Sequence, residues 1–353
     1  MTQEMTGKIA FASGKTGDYD IWTLDMASGE MSQLTFGSFW NDKPKWSPDS
    51  QWIVFVSDRT GFPEIYKAPA AGGEEVQLTD FNGWADSPCF SPDGSKIAFV
   101  SNEAGNNDIW IMDANGENRT QITRYEGSDE YVEWTADGLG LLWSSDRGNG
   151  DADIWHVNLN TLTKTQLNQD AGSDFTPVTS PDGAFIAFCS TRQLGADANK
   201  PFVDRDKDIW LMKADGTWPV RLTENQGADF SPCWSPDGQR ILYTGSTGRK
   251  ECPLRIIDVS DVLAAVATEN QHLYQEAADA IRAEAVEFDR DDLKAEIGAR
   301  RYTSLFTSWF PDSWVSSCYP SGYFGLERNP HWVSVSESAA TRAESSPAEP
   351  AVR

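Results

Sequence analysis

Residues 86–123 read Asp86-Ser-Pro-Cys-Phe-Ser-Pro-Asp-Gly94, then Ser95-Lys-Ile-Ala-Phe-Val-Ser101, a short loop, Asp108-Ile-Trp-Ile-Met-Asp113, Ala114-Asn115-Gly116 and finally Gln121-Ile122-Thr123. Each apolar run is too short for a helix and rich in β-branched and aromatic residues, so each is expected to be a strand. Pro92-Asp93-Gly94 suits a tight turn: proline presets φ, aspartate caps its own backbone, and glycine accepts positive φ. Ala114-Asn115-Gly116 serves the last hairpin in the same way. The stretch is therefore a four-stranded antiparallel meander.

The meander recurs. The turn aspartate falls at Asp49, Asp93, Asp137, Asp182 and Asp237, at intervals of 44, 44, 45 and 55 residues. Asp20-Ile21-Trp22, Glu64-Ile65-Tyr66, Asp108-Ile109-Trp110, Asp153-Ile154-Trp155 and Asp208-Ile209-Trp210 open the third strand of successive copies. Such a period points to propeller blades, because one meander cannot bury both faces but copies set radially around an axis cover one another. Trp46, Trp110, Trp134, Trp155, Trp210 and Trp234 then fill the spaces between blades. The fold class expected is all-β: a six-bladed β-propeller over residues 1–260, a helical and aromatic extension over 261–335 packed on it, and a disordered Ser/Ala/Glu/Pro-rich tail over 336–353. The first copy begins at its second strand, Lys8 to Ala12, so the ring is expected to close with a strand borrowed from the chain that follows the last copy.

Composition narrows the partners. Of 353 residues, 54 are acidic and 29 basic, a net charge of −25, which argues against nucleic acid and anionic membrane surfaces. No apolar run is long enough for a membrane span. Met1 to Thr6 has no basic and apolar leader pattern, so the chain as it stands is expected in the cytoplasm, or in the periplasm if its N-terminus is incomplete. Cys89, Cys189, Cys233, Cys252 and Cys318 are odd in number and lack CxxC spacing; Cys89 and Cys233 occupy the same place in two repeats, which reads as buried small apolar residues rather than zinc ligands or a disulfide framework.

Little catalytic chemistry is legible. No G-x-S-x-G elbow occurs, and His156, His272 and His331 stand apart from one another. Ser13-Gly14-Lys15-Thr16 lacks the first glycine of a phosphate loop and precedes a strand where a helix is needed, so it is a hairpin turn. Asp146, Asp151 and Asp153 with Asn149, and Asp204 and Asp206 with Asp197 in the insertion of the fifth copy, are weak candidates for calcium; neither run has the full spacing of a calcium loop.

The most organised polar feature precedes the innermost strand of successive copies: Asp42, Asp86, Asp129 with Glu130, Asp174 and Asp229. In a propeller these positions converge on one mouth of the axial channel. Either each aspartate caps its own turn, or together they receive a cation or a basic peptide segment; the two readings are compatible.

Trp-Ser-Pro-Asp-Gly with a following Phe-x-Ser and Asp-Ile-Trp, and Val56-Ser-Asp-Arg-Thr-Gly-Phe-Pro-Glu-Ile-Tyr66, resemble the propeller repeats of the TolB family over residues 7–260. Similar repeats occur in the propeller domains of prolyl-oligopeptidase-type and dipeptidyl-peptidase-type enzymes. The resemblance implies six blades; it is specific for fold and weak for function. The expected function is a monomeric, non-catalytic binding or scaffold propeller for a protein or basic peptide. The alternatives are a polysaccharide lyase or hydrolase working at the channel mouth and a regulatory propeller detached from its peptidase.

Overall fold

The computed structural model describes residues 7–310 except 14–17, 26–27, 81–82, 148–150, 171, 193–206, 225–227, 247–253, 267 and 285–305. The repeated turns form as their side chains dictate. Ser91 Oγ donates to Asp93 Oδ1 at 2.6 Å, the same oxygen accepts the Ser95 N–H at 3.0 Å, and Ser91 Oγ accepts the Lys96 N–H at 2.9 Å. Ser47 with Asp49, Thr135 with Asp137, Ser180 with Asp182 and Ser235 with Asp237 repeat the first of these contacts. Gly94 and its counterparts Gly138, Gly183 and Gly238 take left-handed φ, and Ser50 accepts φ 65° in the copy that lacks the glycine.

Each turn joins the inner strand of a blade to its second strand. The third strand is tied to the fourth by a further repeated device. Ile21 N–H donates to Thr35 Oγ1 at 2.8 Å, and Thr35 Oγ1 donates to Asp20 Oδ1 at 3.1 Å. Ile109, Thr123 and Asp108 form the same chain of bonds. The Asp-Ile-Trp signature therefore anchors the blade's outer edge.

Six antiparallel sheets result, each a blade. Blade 1 is ordered Phe306–Phe310, Lys8–Ser13, Asp20–Asp25, Met31–Gln33, so its innermost strand comes from the far end of the chain. Phe306–Phe310 runs antiparallel to Lys8–Ser13, with Lys8 opposite Phe310 and Ala12 opposite Phe306. That strand closes the ring between the inner strands of blades 6 and 2. Blades 2 to 5 each use four strands consecutive in sequence; blade 6 has three, Ala228–Trp234, Arg240–Ser246 and Leu254–Asp258.

Two helices, α1 (Ser260–Val266) and α2 (Gln271–Glu284), follow blade 6. Asp258 Oδ1 accepts the Ser260 N–H at 3.0 Å, and Asn270 Oδ1 accepts the His272 N–H at 3.0 Å, so each helix starts at a side-chain acceptor. Val262, Tyr274 and Ala278 are buried in one cluster with Val220, Leu222, Trp234, Tyr243 and Val259, which places the helices over blades 5 and 6.

The blades pack on apolar layers. Phe55, Phe99 and Phe188, at matching positions of the second strand, are wholly buried, each worth ~2–3 kcal/mol in area removed from water. Trp134 Nε1 reaches back to the Cys89 carbonyl at 3.2 Å, and Trp234 Nε1 to that of Val178 at 3.2 Å, stitching blades 4 and 6 to their predecessors. Cys89, Cys189 and Cys233 are buried free thiols. No helix among the described residues is long and apolar enough to cross a membrane. The fifth-copy acids Asp197, Asp204 and Asp206, Asn149, Cys252, Cys318, His331 and the tail over 336–353 lie outside the described residues.

Candidate functional site

The inner strands that surround the axis share one irregularity. Their register shifts between Asp42 and Lys45, Asp86 and Cys89, Glu130 and Glu133, Phe175 and Val178, and Phe230 and Cys233. Each shift is a β-bulge centred on a non-glycine residue of positive φ: Lys43 at 52°, Ser87 at 50°, Tyr131 at 57°, Thr176 at 49° and Ser231 at 60°. In four blades a proline follows, tolerated because the inner strand is a sheet edge. Left-handed backbone at tyrosine or threonine costs on the order of 1–3 kcal/mol each, and five such positions face one axis.

The bulge sorts the acidic residues into two sets. Asp42, Asp86 and Glu130 immediately precede it, where blades 5 and 6 carry Phe175 and Phe230. Asp129, Asp174 and Asp229 lie one residue earlier, where blades 2 and 3 carry Asn41 and Ala85. Successive strand residues point to opposite sides, so the two sets do different work.

The earlier set belongs to clasps inside the blades. Arg147 pairs with Asp129, and Arg192 with Asp174. Arg59 Nη2 donates to Asn41 Oδ1 at 3.0 Å. All three guanidinium groups also donate to the serine two residues back, Ser57, Ser145 or Ser190. Each then stacks on the third-strand aromatic of its own blade: Arg59 over Tyr66 at 4.4 Å, Arg147 over Trp155 at 5.1 Å and Arg192 over Trp210 at 4.8 Å. Blade 6 has another solution. A Cβ on Gly245 would lie 2.7 Å from Arg255 Nε and 3.0 Å from Asp229 Oδ1, so the glycine leaves room for the arginine beside the aspartate. Blade 3, with Ala85 and Glu103 in the two places, carries no such clasp.

The later set faces the channel on blades 2 to 4. The Lys43 ammonium, held at the bulge of blade 2, pairs with Asp86 and donates to Ser87 Oγ at 3.2 Å. Glu130 Oε1 accepts from Ser128 Oγ at 2.7 Å and Asn107 Nδ2 at 3.3 Å. Asp42 is wholly buried; its Oδ1 accepts the Lys43 N–H at 2.7 Å, and its Oδ2 has no hydrogen-bond partner. Burial pushes the Asp42 carboxyl up to about 8, against the pull of Lys43. Burial raises Glu130 too, opposed by its Ser128 bond and by Lys43. Tyr131 and Phe175 meet edge to face at 6.2 Å on the other side. Carboxylates therefore gather on blades 3 and 4 around the Lys43 ammonium of blade 2, and buried aromatic rings take the matching places on blades 4 to 6.

Three residues further along the inner strands the channel is bridged. Lys45 Nζ of blade 2 lies 2.5 Å from Glu133 Oε2 of blade 4, at the level of Cys89 and Cys233. The opening is therefore a cup with a charged floor.

The remaining candidates have roles fixed by the repeat. Asp146 Oδ1 accepts the Ser128 N–H at 2.9 Å, as Asp58 does for Trp40 and Asn102 for Trp84. Asp153, the third-strand aspartate of blade 4, accepts from Gln166 Nε2 at 2.8 Å, and burial followed by the charge of Asp174 raises it to about 7. Asp151 is the next charge raising it. Among the described residues no three His, Cys, Asp or Glu side chains form a group that could hold a metal ion. His156 is half-buried, and burial lowers its pKa. The clasp arginines and Lys43 and Lys45 were not singled out from sequence. Ser57-x-Arg59, Ser145-x-Arg147 and Ser190-x-Arg192 are the signal that marks the clasps.

Comparison with known proteins agrees with this architecture. A Chlorobium luteolum TolB homolog is 34% identical over 55 residues, covering 16% of this chain and 13% of that protein. A Sulfurisphaera tokodaii protein named as a Tricorn-like protease N-terminal subunit is 46% identical over 39 residues, covering 11% of this chain and 20% of that one. The crystal structure of TolB from Acinetobacter baumannii superposes with a TM-score of 0.61 at 24% identity, over 73% of this chain and 62% of that chain. The matches thus span less than two thirds of each of these relatives. The profile of the TolB beta propeller domain matches residues 5–80 and 75–198, more than half of the chain, and the protein belongs to that family.

Proposed function

We propose that the protein is a non-catalytic, monomeric binding propeller that receives a lysine- or arginine-bearing segment of a partner protein in the axial cup. The observation that carries this reading is Lys43: its ammonium already rests on Asp86 and Ser87 inside the cup, so the cup is built to hold a cationic side chain. Glu130 adds a second carboxylate on the next blade, and the Lys45–Glu133 floor supports entry from one end only. Calcium is a competitor for the same carboxylates rather than a required cofactor.

The test is titration of a fluorescent oligolysine peptide into the full chain, with a second series in calcium chloride. Binding is expected to weaken with salt, and Asp86→Asn with Glu130→Gln should lower affinity roughly tenfold when measured below the variant's thermal midpoint, which itself falls because the buried Lys43 ammonium loses its carboxylate. Affinity unchanged in that double variant, or no binding to the parent, would refute the reading.

A regulatory propeller serving a peptidase on a separate chain is the second reading. It is supported by the likeness to the Sulfurisphaera subunit. Recovery of a peptidase on the immobilised chain from its native source, lost with the axial double variant, would join the two readings.

A further inference from the structure

Outside the cup, three phenylalanines are exposed on two neighbouring loops. Phe36 is 68% exposed, Phe39 40% and Phe62 51%. Phe36 and Phe39 lie in the connection from blade 1 to blade 2, Phe62 in the loop between the second and third strands of blade 2. Both connections run to the end of the blades where the inner strands begin, the end that carries the cup.

The two loops are laced together. Trp40 N–H donates to Asp58 Oδ1 at 2.8 Å, and Asp58 N–H returns to the Trp40 carbonyl at 3.2 Å. Gly61 N–H donates to the Asp58 carbonyl at 2.8 Å, closing the turn that presents Phe62. The Phe39 ring lies 5.8 Å from the Arg59 guanidinium and folds over Gly37, where a Cβ would stand 2.9 Å from the ring. Exposed apolar surface rimmed by charge marks interaction sites.

The rim states the partner's chemistry. Among the described residues of loops 34–40, 58–63, 80–84 and 102–107, the charged side chains are Asp58, Arg59, Asp80 and Glu103. Arg59 is turned inward, paired with Glu75 and bonded to Ser57 and Asn41. Asp80 and Glu103 are exposed. The absence of a clasp on blade 3 leaves Glu103 where blades 2, 4 and 5 place an arginine.

We propose that loops 36–40 and 58–63 form an aromatic docking surface for a partner-protein segment whose bulky apolar side chains are flanked by lysine or arginine. The inference rests on the cup reading for its face but not for its residues. Phe36 and Phe62 supply the apolar anchor, and Asp58, Asp80 and Glu103 steer the flanking cations.

The experiment is selection of a random displayed peptide library on the immobilised full chain, followed by affinity measurements on synthetic copies of the enriched peptides. Enriched sequences should join aromatic or aliphatic residues to lysine or arginine. Phe36→Ser and Phe62→Ser should each weaken them roughly tenfold with the thermal midpoint unchanged. Enrichment of acidic or of purely basic sequences, no enrichment, or equal affinity in the serine variants would overturn the proposal. So would self-association in sedimentation that vanishes in those variants, because the occupant would then be a second copy. Weakening by Asp86→Asn with Glu130→Gln but not by the serine variants would sink the docking surface and leave the cup. The reverse would sink the cup and leave the surface.

Discussion

Lys45 on blade 2 and Glu133 on blade 4 form an ion pair that passes over blade 3, Nζ to Oε2 2.5 Å, with both side chains almost wholly buried. Burial, the largest single influence, would lower the lysine pKa; the charge and hydrogen bond of Glu133, with Cys89 and Cys233 nearby, together overcome it and the net shift is upward. Removing one partner strands a buried charge. Lys45→Met should destabilise the protein by ~3–5 kcal/mol, whereas Lys45→Met with Glu133→Leu should recover most of that loss. Denaturant unfolding of both variants checks this, and equal loss in the two would show that the pair does not act as a unit.

The clasps should be as sensitive. Asp174 accepts from Arg192 and Asn168 and is buried. Arg192→Ala should cost ~3 kcal/mol, and Arg192→Lys should restore little of it, because an ammonium cannot bridge Asp174 and Ser190 while stacking on Trp210. Asp174→Asn with Asp229→Asn should likewise lower the melting temperature, not change peptide affinity alone. A change confined to affinity would return those two residues to the binding surface.

The contribution of two buried carboxyls to stability should fall as pH rises. Asp42 and Asp153 are carboxyls raised from 3.8 to about 8 and about 7 by burial, so the folded chain binds more protons than the unfolded one between those values. For these groups the stability present below the unfolded pKa is lost as pH rises through the folded pKa. Asp42→Asn keeps an acceptor for the Lys43 N–H and should flatten the decline in thermal midpoint between about pH 4 and about pH 8. A decline as steep as in the parent would show that Asp42 does not titrate in this window.

Ring closure can be tested by truncation. Stopping the chain after Glu284 removes the Phe306–Phe310 strand and exposes the edge of Lys8–Ser13. The shortened chain should lose cooperative thermal unfolding or aggregate through that edge. A melting temperature equal to that of the full chain would mean that the strand is dispensable.

Blade count and strand order were legible in the residues themselves. The Pro-Asp-Gly turns and the Asp-Ile-Trp strand openings act over a few residues, so their geometry follows from local hydrogen bonding that a sequence displays. The acidic residues before each inner strand were legible as a group, but their division was not. A bulge shifts register by one residue, and Asp129 and Glu130, neighbours in sequence, point opposite ways, one to Arg147 and one to the channel. Lys45 and Glu133 stand 88 residues apart, and Phe306–Phe310 lies some 300 residues beyond the strand it completes. No spacing or composition signals such partners, because only closure of the ring around its axis brings them together. The sequence by itself therefore determined the blade and its repetition, which depend on short-range backbone preferences and on the need to bury both faces of a meander. The tertiary structure alone decided which carboxylates are spent on clasps, which face the cup, what floors it and which strand seals it, because those outcomes depend on distances across the ring.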